Sequence, residues 1–182
     1  GVPDCIYLAN AGLYLGKSEV LGTDRPIFVI QSPCNAERQL ENLFTRLLAL
    51  RLGWFPIEMK GTFEGMADLI CVDHGKESSR SLLGFASSRS DPAVYHELCR
   101  VAERLGINQA EFPWHRLEVL TARKENKELG YHQDLALLTL PGGKAAVAEG
   151  VFTDDDEARM STLFPGGTVT VPRAEWMAFA MN

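Results

Sequence analysis

Glu64-Gly65-Met66-Ala67-Asp68-Leu69-Ile70-Cys71-Val72 decides how this chain is read, because two carboxylates lead straight into an apolar strand. An ordinary core strand avoids such an opening, since a charge taken out of water needs a partner. The layout occurs twice more, in Ala9-Asn10-Ala11-Gly12-Leu13-Tyr14-Leu15 upstream and Tyr131-His132-Gln133-Asp134-Leu135-Ala136-Leu137-Leu138 downstream. Its polar anchors Asn10, Asp68 and Asp134 recur at intervals of about 60 residues, the length of a repeating supersecondary unit with variable loops. Units arranged around an axis would bring the strand starts together. An imidazole would then meet several carboxyl and amide groups at one point, as a site for a planar cation requires.

The intervening sequence fits such a unit. The first reads as strands near Asp4–Leu8, Leu13–Leu15 and Ile27–Ile30, then a helix from about Ala36 to Leu52 that Asn35 can cap and Gly53 can end. Leu40, Leu43, Phe44, Leu47 and Leu48 fall at helical spacing and predict one buried stripe. The second unit has strands near Pro56–Met59, Ala67–Val72 and Ser81–Phe85, a helix opened by Asp91-Pro92 and running to about Leu105, and a strand near Leu117–Leu120. Val94, Leu98, Val101 and Leu105 make its stripe, and Gly106 closes it. The third has strands Leu135–Leu140 and Ala145–Ala148 around Pro141-Gly142-Gly143, a helix from Thr153 or the following aspartates to about Phe164, and a strand Thr168–Val171. The recurrent order is strand, strand, helix, strand, an α/β class.

With 182 residues, 46% of them apolar, the chain can bury one sizeable core, so a single domain over residues 1–182 is expected. The net charge of −6 and pI near 5.2 argue against a nucleic-acid surface and suit a small, cationic substrate. No stretch approaches the roughly 18 continuous apolar residues of a membrane span. Gly1-Val2-Pro3-Asp4 has no basic region followed by an apolar one, so a soluble cytoplasmic protein is expected and no membrane partner. The chain opens directly into a strand-like segment and stops at Met181-Asn182, and both ends read as cuts. Cys5, Cys34, Cys71 and Cys99 are far apart and read as reduced thiols, with Cys71 and Cys99 as small core residues. Gly142-Gly143-Lys144 lacks the spacing of a phosphate loop, and His74, His96 and His115 have no paired ligands, so neither metal nor cofactor is expected.

The stretches Asp4–Gly12, Ala36-Glu37-Arg38-Gln39, Phe63–Asp68, Ser88-Arg89-Ser90-Asp91 and Tyr131-His132-Gln133-Asp134, in this order, resemble the guanidine-modifying superfamily called penteins. The chain is similar over nearly its whole length to arginine deiminases, dimethylarginine dimethylaminohydrolases, amidinotransferases and arginine dihydrolases. The resemblance implies an α/β-propeller of ββαβ-type repeats about a central axis, here without its first part and its last repeat. It also implies a hydrolase of arginine or a methylated arginine, acting through a thio-amidine on a cysteine beyond residue 182, since none of the four present matches the family's nucleophile.

In that family pattern His132 is the proton shuttle, and Glu64 hydrogen-bonds it and fixes its tautomer. Asp68 and Asp134 take the N–H donors of the substrate's guanidinium, whose planar fork suits spaced carboxylates. Arg38 and Arg89 grip a substrate carboxylate. Asn10 stands where several members carry an acid, whereas the arginine dihydrolase-like members carry asparagine in a similar Ala-Asn-Ala setting. Taken singly, the aspartates and Asn10 also read as turn residues, Glu64 as a solvated carboxylate and the arginines as surface ion pairs. A non-catalytic binding module and an amidinotransferase remain open alternatives, and a homo-oligomer is allowed for as the partner.

Overall fold

The computed structural model describes residues 11–18, 20–22, 25–34, 36–73, 80–124 and 132–180. β1 (Gly12–Lys17) pairs antiparallel with β2 (Pro26–Ile30), α1 (Gln39–Arg51) crosses over, and β3 (Phe55–Glu58) returns parallel to β2. β4 (Leu69–Asp73), β5 (Arg80–Ala86), α2 (Pro92–Arg104) and β6 (Leu117–Thr121) repeat the pattern. So do β7 (Leu137–Leu140), β8 (Lys144–Ala148), α3 (Asp154–Leu163) and β9 (Gly167–Val171). The ββαβ order read from the sequence is therefore the fold's unit. A short connection suffices for the antiparallel pair, whereas the parallel pair needs the helical crossover. The result is a mixed α/β fold of three small sheets, and among the described residues they do not close into a barrel.

Local chemistry sets the element ends. The Asp91 carboxylate accepts from the Ala93 N–H at 2.8 Å, and Pro92 opens α2 where its missing N–H costs nothing. Thr153 caps α3, its hydroxyl accepting from the Asp156 N–H at 3.4 Å. Gly53 and Gly106 follow α1 and α2 at φ of 77° and 59°, a region that costs other residues strain. Leu135 belongs to a 3-10 turn, Gln133–Leu135, instead of the strand predicted over Leu135–Leu140. α4 (Arg173–Ala180) is an addition that the strand and helix periodicities do not anticipate. The strand expected at Asp4–Leu8, the Asn35 cap and Asn10 lie outside the described residues.

Two cores form between successive sheets. Leu13, Leu15, Ile27 and Val29 of the first sheet meet Leu69 and Leu82 of the second, with Val94, Tyr95 and Leu98 of α2 in the same cluster. Leu83, Phe85 and Leu120 of the second sheet meet Leu137, Ala145 and Val147 of the third, with Met160 and Leu163 of α3 among them. Each of these helices thus packs on its own sheet and on the one before. Trp176 of α4 closes the second core and donates its indole N–H to the Leu135 carbonyl.

The expected stripe of α1 departs from this rule. Leu40, Leu43, Phe44, Leu47 and Leu48 are all more than half exposed, and the helix buries Glu41 and Ala49 instead. The periodicity is real, but no described element lies over it. Cys71 is likewise exposed and not a core residue, although Leu69 and Val72 of the same strand are buried. Among the described residues no helix is long and apolar enough to cross a membrane.

Candidate active site

A single 3-10 turn, Gly65–Ala67, separates Glu64 from Asp68, and Gly65 takes it through a φ of 67°. Both carboxylates end up fully buried, at the start of β4. Asp68 Oδ1 accepts from the Gln133 N–H at 3.1 Å and lies 3.0 Å from Nδ1 of His132. Its Oδ2 accepts from the Ser90 hydroxyl at 2.6 Å. Glu64 Oε2 lies 3.2 Å from Nε2 of the same His132. The imidazole is therefore held at both nitrogens, by one carboxylate on each side.

Burial of His132 opposes its charge, but the hydrogen bonds and charges of Asp68 and Glu64 outweigh that and hold its pKa up at about 9. At neutral pH the ring is an imidazolium. Such a group can give a proton and take it back, while its flanking carboxylates keep both N–H bonds directed.

Glu64 also collects two guanidinium groups. Arg38 Nη1 donates to its Oε2 at 2.8 Å, and Arg89 Nη1 reaches its Oε1 at 3.3 Å. Arg38 is buried and held further by Glu41, at 3.2 Å from both Nε and Nη2, and by the Gln31 amide oxygen at 3.4 Å. Its burial disfavours the cation, but Glu41 and Glu64 more than compensate and raise its pKa. Arg89 is more accessible, with a quarter of its side chain exposed. The Cys34 thiol lies 3.8 Å from both Glu64 Oε1 and Arg89 Nη1.

Of the residues singled out in the sequence, His132, Glu64, Asp68, Arg38 and Arg89 thus form one connected cluster. Asp134 lies at its margin, exposed on the 3-10 turn after His132. Although its side chain reaches solvent, loss of hydration raises its carboxyl pKa, with the His132 charge pulling the other way. Three groups in the cluster escape a motif reading: Ser90, which also accepts the Glu64 N–H at 3.1 Å, Glu41 and Gln31. Glu41 carries a signal, standing three residues after Arg38 where helical side chains meet. Ser90 carries none beyond its place beside Arg89. Among the described residues no three ligand side chains surround a common point as a metal ion needs. Cys99, half-buried on α2, has its thiol pushed up to about 11 by burial and is poorly suited to attack.

No family model matches this sequence, and no curated protein matches it either. Solved structures do. The N-terminal domain of ArgZ bound to substrate, an arginine dihydrolase from the ornithine–ammonia cycle in cyanobacteria, is similar at 22% identity and a TM-score of 0.73, over 99% of this chain and 58% of that one. AgrE in its ternary complex with ornithine and NAD+ is similar at 23% identity and a TM-score of 0.73, over 99% and 23% of the two chains. A dimethylarginine dimethylaminohydrolase, as the adduct with 4-chloro-2-hydroxymethylpyridine, is similar at 17% identity and a TM-score of 0.61, over 96% and 57%. The chain spans less than two thirds of the length of each. The sequence resemblance and these structures agree on the architecture, and the chain carries the pentein fold.

Proposed function

We propose that this chain forms the guanidinium-binding part of a C–N hydrolase acting on arginine or a methylated arginine. The observation that carries the reading is His132 clamped between the buried carboxylates of Asp68 and Glu64, with Glu64 already holding guanidinium groups. A carboxylate that accepts one N–H group from each of the Arg38 and Arg89 guanidinium groups offers the same acceptors to a substrate guanidinium. Arg89, the more exposed of the two, leaves Glu64 when substrate enters and turns to the substrate's carboxylate. Asp134 takes guanidinium donors from the solvent side, and Asn10 contributes an uncharged amide. Asp68 keeps both oxygens on the protein and orients His132.

The nucleophile is a cysteine beyond residue 182, within a single domain whose ββαβ units surround a central axis. Its thiolate adds to the guanidinium carbon, and a C–S bond forms. As the C–N bond breaks, the His132 imidazolium gives its proton to the departing nitrogen, which leaves as ammonia from arginine or as the methylamine from a methylated arginine. The neutral ring then takes a proton from water, whose oxygen adds to the same carbon, and rupture of the C–S bond returns the thiolate and frees the product. Localisation in the cytoplasm, where thiols stay reduced, suits this chemistry.

Ammonia release from L-arginine by the gene product expressed in full tests the reading. His132→Ala is expected to lower kcat by about 10²–10⁴-fold, the usual range for general acid–base catalysis. Absence of turnover with arginine and methylated arginines alike would sink it. A second reading is a guanidine-binding module without catalysis, in which the same carboxylates hold the ligand and no covalent step follows. Saturable arginine binding without turnover would select that alternative.

A further inference from the structure

One hydroxyl touches both halves of the clamp around His132. Ser90 is buried, and its Oγ donates to Asp68 Oδ2 at 2.6 Å while accepting the Glu64 N–H at 3.1 Å. Asp68 meets His132 at Nδ1 and Glu64 meets it at Nε2. A single atom is thus joined to the carboxylate on one side of the ring and to the backbone that carries the carboxylate on the other. The backbone of Ser90 is fixed without that hydroxyl. Its carbonyl accepts the Ser87 N–H at 3.3 Å, the Ser87 hydroxyl accepts the Arg89 N–H at 3.0 Å, and Asp91 donates its N–H to the Thr62 carbonyl at 3.0 Å. Ser90, Asp68 and Glu64 are all sealed from solvent within the described units, so no further part of the domain is needed to complete this bond pattern.

A short hydrogen bond from a hydroxyl takes up part of a carboxylate's charge. Asp68 has three donors, the Ser90 hydroxyl on Oδ2 and the Gln133 N–H and the His132 ring on Oδ1. What the first two absorb is withheld from the third. We propose that Ser90 is a positioning residue of the candidate site, which by holding Asp68 Oδ2 and the Glu64 N–H together fixes both sides of His132 and limits how firmly Asp68 holds the ring proton. The inference rests on the reading of His132 as the acid–base group, since a ring that gives and retakes a proton needs a bond that directs the proton without trapping it. The charged and titratable groups around the ring are Asp68 and Glu64, with Arg38, Arg89 and Cys34 behind Glu64, and Asp134 on the turn after His132. Substitutions at Ser90 leave all of them in the chain.

An NMR titration of His132 in the gene product expressed in full tests this, with Ser90→Ala and Ser90→Thr beside the unaltered protein and circular dichroism as the check on folding. Should Ser90→Ala not fold, Ser90→Cys replaces it, because a thiol is a much weaker donor. Loss of the hydroxyl is expected to raise the His132 midpoint by roughly 0.5–1 pH unit, since Asp68 then turns more of its charge on the ring. Ser90→Thr keeps the donor and is expected to titrate with the unaltered protein. Ser90→Ala is also expected to lower kcat several-fold and leave KM unchanged, because the ring releases its proton less readily. A Ser90→Ala midpoint that stays or falls overturns the proposal, and so does a Ser90→Thr midpoint that moves as far as that of Ser90→Ala. The titration needs no turnover. A raised midpoint in a protein that leaves arginine and methylated arginines intact upholds the role of Ser90 and removes the proposed reaction, whereas turnover with an unmoved midpoint does the reverse.

Discussion

Asp68 commits both oxygens to its own chain, and the behaviour of His132 follows from that. With the imidazole charge favoured by Asp68 and Glu64, an NMR titration of His132 is expected to show a midpoint near 9, and Asp68→Asn is expected to move it back towards the ordinary histidine range. The link to stability has a definite sign. Because the folded pKa is raised, the stabilisation is complete below the unfolded value of about 6.5 and is lost as pH rises through about 9. It is on the order of 3 kcal/mol at full strength. The urea midpoint should therefore fall between pH 6.5 and 9, and His132→Gln should lack that part of the slope. A midpoint that is the same for both proteins across this window would contradict the assignment. At this scale the sequence exposes the chemistry but not the partition of labour. The Asp68 and Asp134 motifs look alike, yet one side chain is sealed in by Ser90 and the Gln133 backbone while the other faces water. Contacts from segments distant in sequence make the difference, and no local pattern carries them.

At the scale of elements, α2 is fastened to its sheet through a polar pin inside an apolar contact. Tyr95 is fully buried, its hydroxyl lies 2.6 Å from the Phe85 carbonyl and 3.0 Å from that of Asp68, and its ring stands edge-on to Phe63. Gly84 makes room for it: a Cβ there would sit 3.0 to 3.1 Å from the ring. Tyr95→Phe keeps the packing and removes the hydroxyl donor at the Phe85 carbonyl, while the Asp68 carbonyl keeps the Phe85 N–H at 2.9 Å, so a loss of about 1–3 kcal/mol is expected by thermal or chemical denaturation. An unchanged stability would show that water replaces the hydroxyl. Gly84→Val is expected to cost more, by pushing α2 off β5. Helix positions were legible because capping and apolar periodicity are local. The direction of the α1 stripe was not, since periodicity tells which residues share a face and leaves open what that face meets.

For the molecule as a whole, the strand, strand, helix, strand order read from the sequence is the observed repeat and accounts for most of the fold. Asn10, however, lies outside the described residues, and the position equivalent to Asp68 in the third unit is Ala136, not Asp134: the Asp68 and Ala136 carbonyls accept the N–H groups of Phe85 and Ala148 at 2.9 Å each. If arginine binds at Glu64, it must stabilise the folded chain by mass action, by about 2.7 kcal/mol at a hundred times Kd. A rise in Tm with millimolar L-arginine is expected, and Glu64→Gln should suppress it. No shift at any concentration would separate the fold from guanidine recognition in this chain. One carboxylate also joins the units: Asp68 opens the second sheet, yet two of its three donor groups come from the turn that begins the third. Any excursion that lets the third sheet swing away strips His132 of its anchor and strands a negative charge in the interior. The charge state of His132 and the docking of neighbouring repeats therefore rise and fall together, and the imidazole resonance is a gauge of whether the array is assembled.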